Sequence, residues 1–343
     1  MRARHILAAF LLVAATTFAA PRQAAAEKMT VALGSGAFFF TLQYIAEAGG
    51  MFREQGLEVE TVNLVTGPRQ TAAVMGGSVD AAMEGLQLVV QAVMRGGDIV
   101  AICTGYNIMP ISLTLSNDAI AKTGATLTMP IDERVKRLRG LRIGVTTPGS
   151  GSDDVLQSLL KARGMDPEKD IVVQPLGGAD AMLAALERGA TDGFMYTSPV
   201  PEIAAQRRIG RIIVEPLNGD VPELRNIPYI TFVTSRATLA QKRPQLLRMV
   251  RAYTKAMAFV QQNPAEAAKL THRFFPDVDP EIFNASFLKY TKGLPTSPLI
   301  TPDQVTNLLT WMNLAKKTKI TGTYAEVVDP SLAEQVLKET AGR

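Results

Sequence analysis

Gly77-Ser78-Val79-Asp80-Ala81-Ala82-Met83 recurs as Gly189-Ala190-Thr191-Asp192-Gly193-Phe194-Met195, so the chain contains one G-x-x-D-x-x-M pattern twice. Each copy closes a similar series: an apolar strand, a Gly/Ser-rich turn, a helix, a second strand, a second helix and a short third strand. The first series starts at Met29–Leu33 and the second at Leu141–Val145. Two α/β lobes with largely parallel sheets are therefore predicted, with a ligand cleft between them.

Two β-rich segments, Ile111–Ser116 and Pro228–Thr234, are predicted to carry the chain from one lobe to the other and back. They divide the chain into a first lobe at 27–113, a second lobe at 114–228 and a return to the first lobe at 229–343. Paired crossing strands form a hinge. The backbone dihedral angles of a few residues there change when the lobes close. The helical segments after the second crossover are expected to pack on the first lobe.

Residues 1–26 are typical of a secretory signal peptide, not of the fold. Arg2 and Arg4 form a basic start, Ile6–Ala20 is apolar but too short and Ala-rich to span a membrane, and Ala24–Ala26 forms an A-x-A cleavage site. The only cysteine, Cys103, lies outside the leader, so the lipobox that anchors many exported bacterial proteins is absent. An exported, soluble chain without such an anchor is expected.

The overall charge gives little support to nucleic-acid binding. The leader carries three arginines and no acid, so its removal lowers the net charge from +4 to about +1, and no basic stripe is evident.

Cys103 lies in the apolar run Ile99–Cys103 and is expected to be a buried apolar residue, not a reactive thiol. A single cysteine also excludes a disulfide framework within the chain.

Three stretches resemble the periplasmic solute-binding proteins of ABC importers. They are 44–59, with the pattern A-x-x-x-G-x-F-x-x-x-G-L-x-V, both G-x-x-D copies, and 138–145. The similarity is greatest to the nitrate/sulfonate/taurine group, which includes the thiamine-precursor (NMT1/THI5-like) members. It implies an α/β, two-lobed type II periplasmic-binding-protein fold whose lobes close on a solute, and it does not specify the ligand.

Because ligands bind at the carboxyl ends of strands in open α/β sheets, the cleft is expected beside four segments that follow strands. These are the turn after the first strand, the residues after each G-x-x-D strand, and a Gly/Ser-rich loop before a second-lobe helix. Tyr106 follows another strand and either reaches the cleft or packs at the hinge. The candidate ligand-binding residues are Ser35, Gly36, Phe38, Phe39, Glu84, Gly85, Tyr106, Gly149, Ser150, Gly151, Ser152, Tyr196, Thr197 and Ser198.

The loop Pro148–Ser152 is the strongest of these segments. Its small residues let the backbone approach a ligand, and the helix that follows offers N–H groups and positive potential, so an acid binds there without Lys or Arg. The alternative is a plain capping loop in which Ser152 caps a helix that reaches Arg163. The resemblance favours ligand contact over that alternative.

Aromatic and acidic residues bear on the kind of solute. Phe38–Phe40 are expected to stack on a planar or apolar solute. The alternative is that two of the three fill the core. Glu84 departs from the small polar residues common here in the family, and a carboxyl beside the cleft suits a solute with an amino or other donor group. Asp153 and Asp154 are expected to complement the helix dipole. If instead they face the pocket, their negative charges would discourage a strongly anionic solute.

Motifs for catalysis are absent from the mature sequence. Its only histidine, His272, lies on a C-terminal helix outside the candidate cleft, and no H-E-x-x-H, C-x-x-C or G-x-S-x-G occurs. The histidine- and cysteine-bearing motifs of thiamine-precursor synthases are also missing. No enzyme activity, cofactor or metal site is therefore expected.

The expected function is a periplasmic receptor for a small polar organic solute that is sulfonate-, carboxylate- or aromatic-acid-like. Its partners are that solute and an inner-membrane ABC permease, and the protein is expected to be a monomer. Two alternatives stay open. One is a periplasmic sensor of the same fold, and the other is a precursor-synthesis enzyme of the THI5-like type with an aminopyrimidine ligand.

Overall fold

Ten strands in two sheets organise the protein. A computed structural model describes residues 26–34, 36–315 and 319–342. The strands are β1 (Glu27–Leu33), β2 (Leu57–Asn63), β3 (Ala81–Gly85), β4 (Val100–Tyr106), β5 (Ser112–Ser116), β6 (Arg142–Val145), β7 (Val172–Pro175), β8 (Gly193–Tyr196), β9 (Gly210–Val214) and β10 (Ile230–Thr234).

The strand order shows how the chain divides between two lobes. The first sheet has the order β2-β1-β3-β10-β4, and the second has the order β7-β6-β8-β5-β9. The chain enters the second sheet through β5 and returns to the first through β10, and both strands are antiparallel to their neighbours. The pairs β1-β2, β1-β3, β6-β7 and β6-β8 are parallel. The predicted pair of α/β lobes is therefore confirmed.

Helices cover both sheets and continue beyond β10. They are α1 (Thr41–Ala48), α2 (Met51–Glu54), α3 (Gly67–Met75), α4 (Leu86–Val93), α5 (Asn117–Thr123), α6 (Ile131–Lys136), α7 (Gly151–Lys161), α8 (Ala179–Glu187), α9 (Val200–Gln206), α10 (Arg236–Gln241), α11 (Arg243–Gln262), α12 (Pro264–His272), α13 (Pro280–Tyr290), α14 (Pro302–Ala315), α15 (Tyr324–Val327) and α16 (Ser331–Ala341). Within the described ranges, none of these helices combines the length and the apolar character that a membrane crossing requires.

The repeated aspartate has the same structural role in both lobes. Asp80 Oδ2 accepts a hydrogen bond from the backbone N–H of Thr30 at 3.0 Å, and Asp192 Oδ2 accepts one from the N–H of Arg142 at 2.8 Å. In each lobe the aspartate N–H also donates to the carbonyl of that same partner. The motif thus ties the entry of β3 to β1 and the entry of β8 to β6. Both aspartates are therefore strand-entry residues.

The helix boundaries differ from the sequence pattern in two places. The pattern over Thr41–Gln55 favours a single helix, whereas the structure divides it into α1 and α2, because Gly50 adopts a φ of 71°. The cap of α7 is Ser150, not Ser152: Ser150 has extended backbone angles and its Oγ accepts from the N–H of Asp153 at 3.4 Å.

The C-terminal helix α14 contacts the second lobe as well as the first, although the C-terminal helices were expected to pack on the first lobe. It packs against α7 of the second lobe and also touches α4. At the contact with α7, Trp311 is buried and its Nε1–H donates to Ser158 Oγ at 2.8 Å. Ser158 Oγ in turn donates to the carbonyl of Val155 at 2.8 Å. Trp311 is therefore a packing residue, and its site lies between the lobes.

A double-mutant cycle on Trp311 and Ser158 tests this contact. Trp311→Phe removes the donor, while Ser158→Ala leaves the buried indole N–H without its acceptor. Each change is expected to lower the free energy of unfolding by about 1–3 kcal/mol. The double variant should lose less than the sum, because neither half of the hydrogen bond is then stranded. Urea denaturation of the four proteins measures the coupling, and strictly additive losses would contradict it.

Candidate functional site

A small cavity lies between the two lobes, at the carboxyl ends of the central strands. Residues at the ends of β3 and β8 line it, together with the start of α7 and the segment just before β10. Its volume is about 70 Å³. This leaves room for several waters or a compact solute.

The second-lobe wall is built by the start of α7. The carbonyl of Ser150 accepts from Asp154 N–H, and its Oγ accepts from Asp153 N–H. The N–H groups of Gly151 and Ser152 have no intrahelical acceptor, because they belong to the first turn. Both residues line the cavity. The helix therefore presents two backbone donors and the positive end of its dipole to the cavity.

A chain of three hydroxyl groups continues this wall. Ser152 Oγ lies 2.9 Å from Ser150 Oγ and 3.0 Å from Thr146 Oγ1, and it accepts from the N–H of Thr146 at 2.9 Å. Two hydroxyl–hydroxyl bonds use two of the three hydroxyl hydrogens, so one hydrogen is left to donate elsewhere. All three side chains line the cavity. The second-lobe wall as a whole is rich in donors and suits an acceptor oxygen.

The first-lobe wall carries a buried carboxyl group. Glu84, on β3, is 2% exposed, and its Oε2 accepts from Thr71 Oγ1 at 2.7 Å. Its Oε1 has no hydrogen-bond partner among the described residues. Burial raises the pKa of Glu84 to about 8, against a smaller lowering by the hydrogen bond from Thr71. Near neutral pH this carboxyl in the empty protein is therefore mostly protonated.

Gln87 lies beside Glu84 because Gly85 has no side chain. A Cβ on Gly85 would lie only 2.2 Å from Gln87 Oε1, so the amide folds back over this glycine. Gln87 is buried, lines the cavity, and its Oε1 also lacks a hydrogen-bond partner in the described part of the chain. Gln87 is not among the residues predicted from the sequence, since nothing in its position after Gly85 indicates this folding back.

Aromatic rings form the remaining walls. Phe39 and Phe40 line the cavity with their ring centroids 4.5 Å apart, and Phe39 packs edge-on to Tyr229 at 5.5 Å. Tyr196 at the end of β8 lines it from the second lobe. Tyr229 also lies against α7, where a Cβ on Gly151 would be 2.4 Å from its hydroxyl oxygen. The sequence analysis assigned Tyr229 only to a crossover segment.

Eight of the proposed residues lie on the cavity wall: Phe39, Glu84, Gly85, Ser150, Gly151, Ser152, Tyr196 and Thr197. Ser35 lies outside the described residues. Five others are placed elsewhere. They are Gly36, Phe38, Tyr106, Gly149 and Ser198. Lining residues that sequence reasoning missed are Thr66, Gln70, Gln87, Thr146 and Tyr229, among others. Of these, Thr146 directly follows β6 and Thr66 directly precedes α3, so both positions carried a local signal.

Core packing explains why two of the aromatic candidates stay away from the cavity. Phe38 packs edge-on against four rings of α13 and the connection that precedes it, at centroid distances between 5.0 and 5.9 Å. A Cβ on Gly36 would contact the same cluster through Phe275 at 3.4 Å. Tyr106 stacks on Tyr290 at 4.4 Å and donates its hydroxyl hydrogen to the Tyr290 carbonyl at 2.6 Å.

Gly149 and Ser198 support the walls from behind. Gly149 has a φ of 75° and turns the chain into α7, while its N–H donates to Asp153 Oδ2 at 2.8 Å. Ser198 donates its hydroxyl hydrogen to Glu202 at 2.8 Å, and its carbonyl accepts from Phe38 N–H at 3.1 Å. The latter bond joins the second lobe to the first.

Asp154 also takes part in contact between the lobes. Its Oδ2 accepts from Gln91 Nε2 of α4 at 3.1 Å. Neither Asp153 nor Asp154 lines the cavity, so neither carboxylate contacts a solute there directly.

His272 lies away from the cavity on α12, where Nε2 is 2.9 Å from the carbonyl of Val278. The described residues contain no group of three His, Cys, Asp or Glu side chains that could hold a metal ion.

Solved structures of low sequence identity share this architecture. A protein of Bordetella bronchiseptica RB50 has a TM-score of 0.80 at 21% identity, covering 93% of this chain and 99% of its own. The ligand-binding component of an ABC-type import system from Staphylococcus aureus gives 0.73 at 15%, covering 90% and 99%. The alkanesulfonate-binding protein SsuA of Xanthomonas axonopodis pv. citri gives 0.67 at 17%, covering 88% and 97%. They confirm the two-lobed periplasmic-binding-protein fold.

Sequence comparison gives the family. YtlA of Bacillus subtilis (strain 168) is 22% identical over 316 residues, which cover 91% of this chain and 90% of YtlA. The model of the NMT1-like family matches residues 24–273 of the 343-residue chain. With its two α/β lobes and the cavity between them, this chain belongs to the NMT1-like family.

Proposed function

We propose that this protein is the solute-binding component of an ABC-type importer. It captures a small polar organic solute in the cavity between the lobes and delivers it to an inner-membrane permease. The observation that carries the proposal is that both lobes contribute polar side chains or backbone donors to one small cavity. The similarity to the Staphylococcus aureus import component and to SsuA supports it.

Closure of the lobes follows from the placement of the walls. A solute in the cavity touches β3 and α4 of the first lobe and α7 and β8 of the second, so its contacts are complete only when the lobes are together. Such a ligand binds the closed arrangement better than an open one and shifts the population toward it. A permease that recognises the rims of both lobes then distinguishes loaded from empty protein.

The chemistry of the walls favours an acid with an organic body. Acid oxygens fit the start of α7, where Gly151, Ser152 and one hydroxyl hydrogen offer donors without a full positive charge. The rings of Phe39, Phe40 and Tyr229 provide apolar surface for the remaining atoms. A sulfonate or carboxylate on a small organic body is therefore the proposed solute class.

Periplasmic location and a monomeric state complete the proposal. The location rests on the signal peptide predicted for residues 1–26, which lie outside the described residues except for Ala26.

A sensor of the same fold would have the same cavity. A permease and an ATPase encoded beside this gene would favour import over sensing. The enzyme alternative is less favoured, because the structures compared above include named binding proteins.

A ligand screen by thermal shift on the mature chain tests the function. Small alkanesulfonates, aliphatic and aromatic carboxylates, nitrate and aminopyrimidines are each added to the protein. At least one organic acid is expected to raise the melting temperature by several degrees at a concentration 100 times its Kd, since such binding adds about 2.7 kcal/mol. Stabilisation by nitrate alone would contradict the proposed solute class, and stabilisation by an aminopyrimidine alone would favour the enzyme alternative.

Ser150→Ala combined with Ser152→Ala tests the second-lobe wall. Loss of both hydroxyls is expected to raise the Kd for the acid found in the screen by tenfold or more, on the order of 1–3 kcal/mol. Calorimetric titration measures this change. Ser235→Ala is the matched control, because Ser235 caps α10 away from the cavity in the same way. Affinity unchanged in the double variant, or equally reduced in the control, would contradict the assignment.

Gly151→Ala tests whether tight lobe contact is needed for binding. The new methyl group would lie 2.4 Å from the hydroxyl oxygen of Tyr229, so the lobes cannot approach as closely. The Kd for the acid found in the screen is expected to rise by about tenfold, or about 1.4 kcal/mol. Tyr229→Phe in the same protein should restore part of the loss. Gly322→Ala, where a Cβ meets nothing within 4 Å, is the control.

A further inference from the structure

Val65 has an unusual backbone conformation at the cavity wall. Its φ is 64°, in the left-handed region, where a β-branched residue is a rare outlier because its Cβ crowds the backbone. In the described part of the chain, Arg208 and Asn226 are the other residues besides glycine with a positive φ, and neither lines the cavity. Val65 is also the one described lining residue that is exposed, at 38%. It therefore marks the mouth of the cavity, where the cavity meets solvent.

The turn around Val65 is of a strained type. The N–H of Thr66 donates to the carbonyl of Leu64 at 2.7 Å, which closes a three-residue turn with Val65 at its centre. With a positive φ at the central residue, this is the form of γ-turn that is rare because its backbone is strained. Since the Val65 side chain is exposed, its packing does not offset that strain.

Both ends of this turn are held by backbone hydrogen bonds. The N–H of Leu64 donates to the carbonyl of Leu33 at 2.9 Å, which ties the end of β2 to β1. The carbonyl of Thr66 accepts from two N–H groups in the first turn of α3. A change of φ between these held ends therefore reorients the peptide groups on either side of Val65, and with them the Val65 side chain at the mouth.

One side-chain hydrogen bond opposes such a change. The exposed Asn63 accepts at Oδ1 from the N–H of Val65 at 2.9 Å. This N–H belongs to a peptide group that rotates when φ changes, so the bond is lost in a relaxed conformer with negative φ. An exposed hydrogen bond and one left-handed residue have free energies of similar size and opposite sign. The strained and relaxed conformers are therefore close in free energy.

On the basis of the proposed function, we propose that the turn Leu64–Thr66 is a gate at the mouth of the cavity, held by Asn63 in the strained conformer that retains the solute. The strain at Val65 opposes that conformer. Because the relaxed conformer binds less tightly, its population in the empty protein reduces the apparent affinity. Val65 therefore acts on affinity through its backbone conformation, and it favours release of the solute to the permease.

A rigid turn is the competing arrangement. In that case the held ends alone impose the strained conformer, which is then fully populated with or without solute. Removal of the strain would raise the free energy of unfolding but leave the Kd unchanged. A smaller side chain at position 65 would act only through lost apolar contact, so affinity would decrease from Val through Ala to Gly. The order of affinity among variants at this position therefore distinguishes the two arrangements.

Hydrogen exchange of the Thr66 amide in the mature, solute-free chain tests the gate without a ligand. Val65→Gly and Val65→Asn place residues there that tolerate a positive φ, so protection of this amide should rise about tenfold and about threefold, respectively. Val65→Ala keeps a Cβ and should stay within about twofold of the wild type. Asn63→Ala should lower the protection, and Asn63→Ser should restore part of it, because a serine hydroxyl also accepts from the N–H two residues on.

Calorimetric titration then measures the effect on binding. The probes are ethanesulfonate, propanoate and benzoate at pH 7 in 0.15 M salt. For each probe that binds the wild type, the Kd should fall about three- to tenfold in Val65→Gly, and by less in Val65→Asn. Val65→Ala should change the Kd by less than about threefold, and Asn63→Ala should raise it.

Arg208→Gly is the matched control. Arg208 has a φ of 58°, and its carbonyl accepts from Asn117 Nδ2 at 2.6 Å, at the end of β5 that lies away from the cavity. The substitution therefore removes left-handed strain from a residue that does not line the cavity. At 0.15 M salt the lost surface charge is screened over this distance. The free energy of unfolding should rise as in Val65→Gly, whereas the Kd and the protection of the Thr66 amide should equal those of the wild type.

The outcomes separate the gate from the proposed function. Unchanged protection of the Thr66 amide in Val65→Gly and Val65→Asn overturns the gate, as does a Kd that is unchanged in both or that rises as the side chain becomes smaller. Equal binding of a probe by all variants would leave the import function in place and remove only the gate. Failure of every compound in the broader screen would remove the function, and hydrogen exchange would still decide whether the turn has two conformers. Should Val65→Gly fail to fold, Val65→Asn and Asn63→Ala make the same test with opposite expected signs.

Discussion

The insertion of β5 and β10 into their sheets determines how the rest of the molecule is arranged. Each strand enters its sheet directly from the other lobe and lies between two neighbours, β5 between β8 and β9 and β10 between β3 and β4. Antiparallel hydrogen bonds therefore hold each crossing segment on both sides. As a result, the carboxyl ends of β3 and β8 face one another, and Tyr229, just before β10, is carried to the cavity wall.

The lobes could be predicted because their signals are local and repeated. Gly77 and Gly189 have φ values of 70° and 66°, which favour glycine, and Asp80 and Asp192 each bond to the first strand of their lobe. Backbone geometry of this kind restricts residue type, so it leaves a pattern in the sequence. The cap of α7 was harder to place. Ser150 and Ser152 are equally suitable capping residues, and only the turn at Gly149 decides between them.

The cavity wall could be predicted only in part, since it depends on tertiary contacts. Among three consecutive phenylalanines, the packing of α12 and α13 decides that Phe38 belongs to the core while Phe39 and Phe40 reach the cavity. Gln87 reaches it by folding over Gly85, and Tyr229 by the path of the returning chain. Neither has a periodicity or spacing that a sequence would reveal. Glu84 was recognised because it follows the apolar residues 81–83 at the carboxyl end of a predicted strand, where ligands bind in open α/β sheets.

The position of Trp311 makes its intrinsic fluorescence a probe of the contact between the lobes. It is the only tryptophan of the chain, and it lies buried where α14 meets α7, with its indole N–H bonded to Ser158. Indole emission depends on local polarity and hydrogen bonding, so a rearrangement at this junction alters the colour or intensity of the emitted light. No second indole contributes a background signal. Movement of α14 relative to α7 can therefore be followed in solution without attaching a dye.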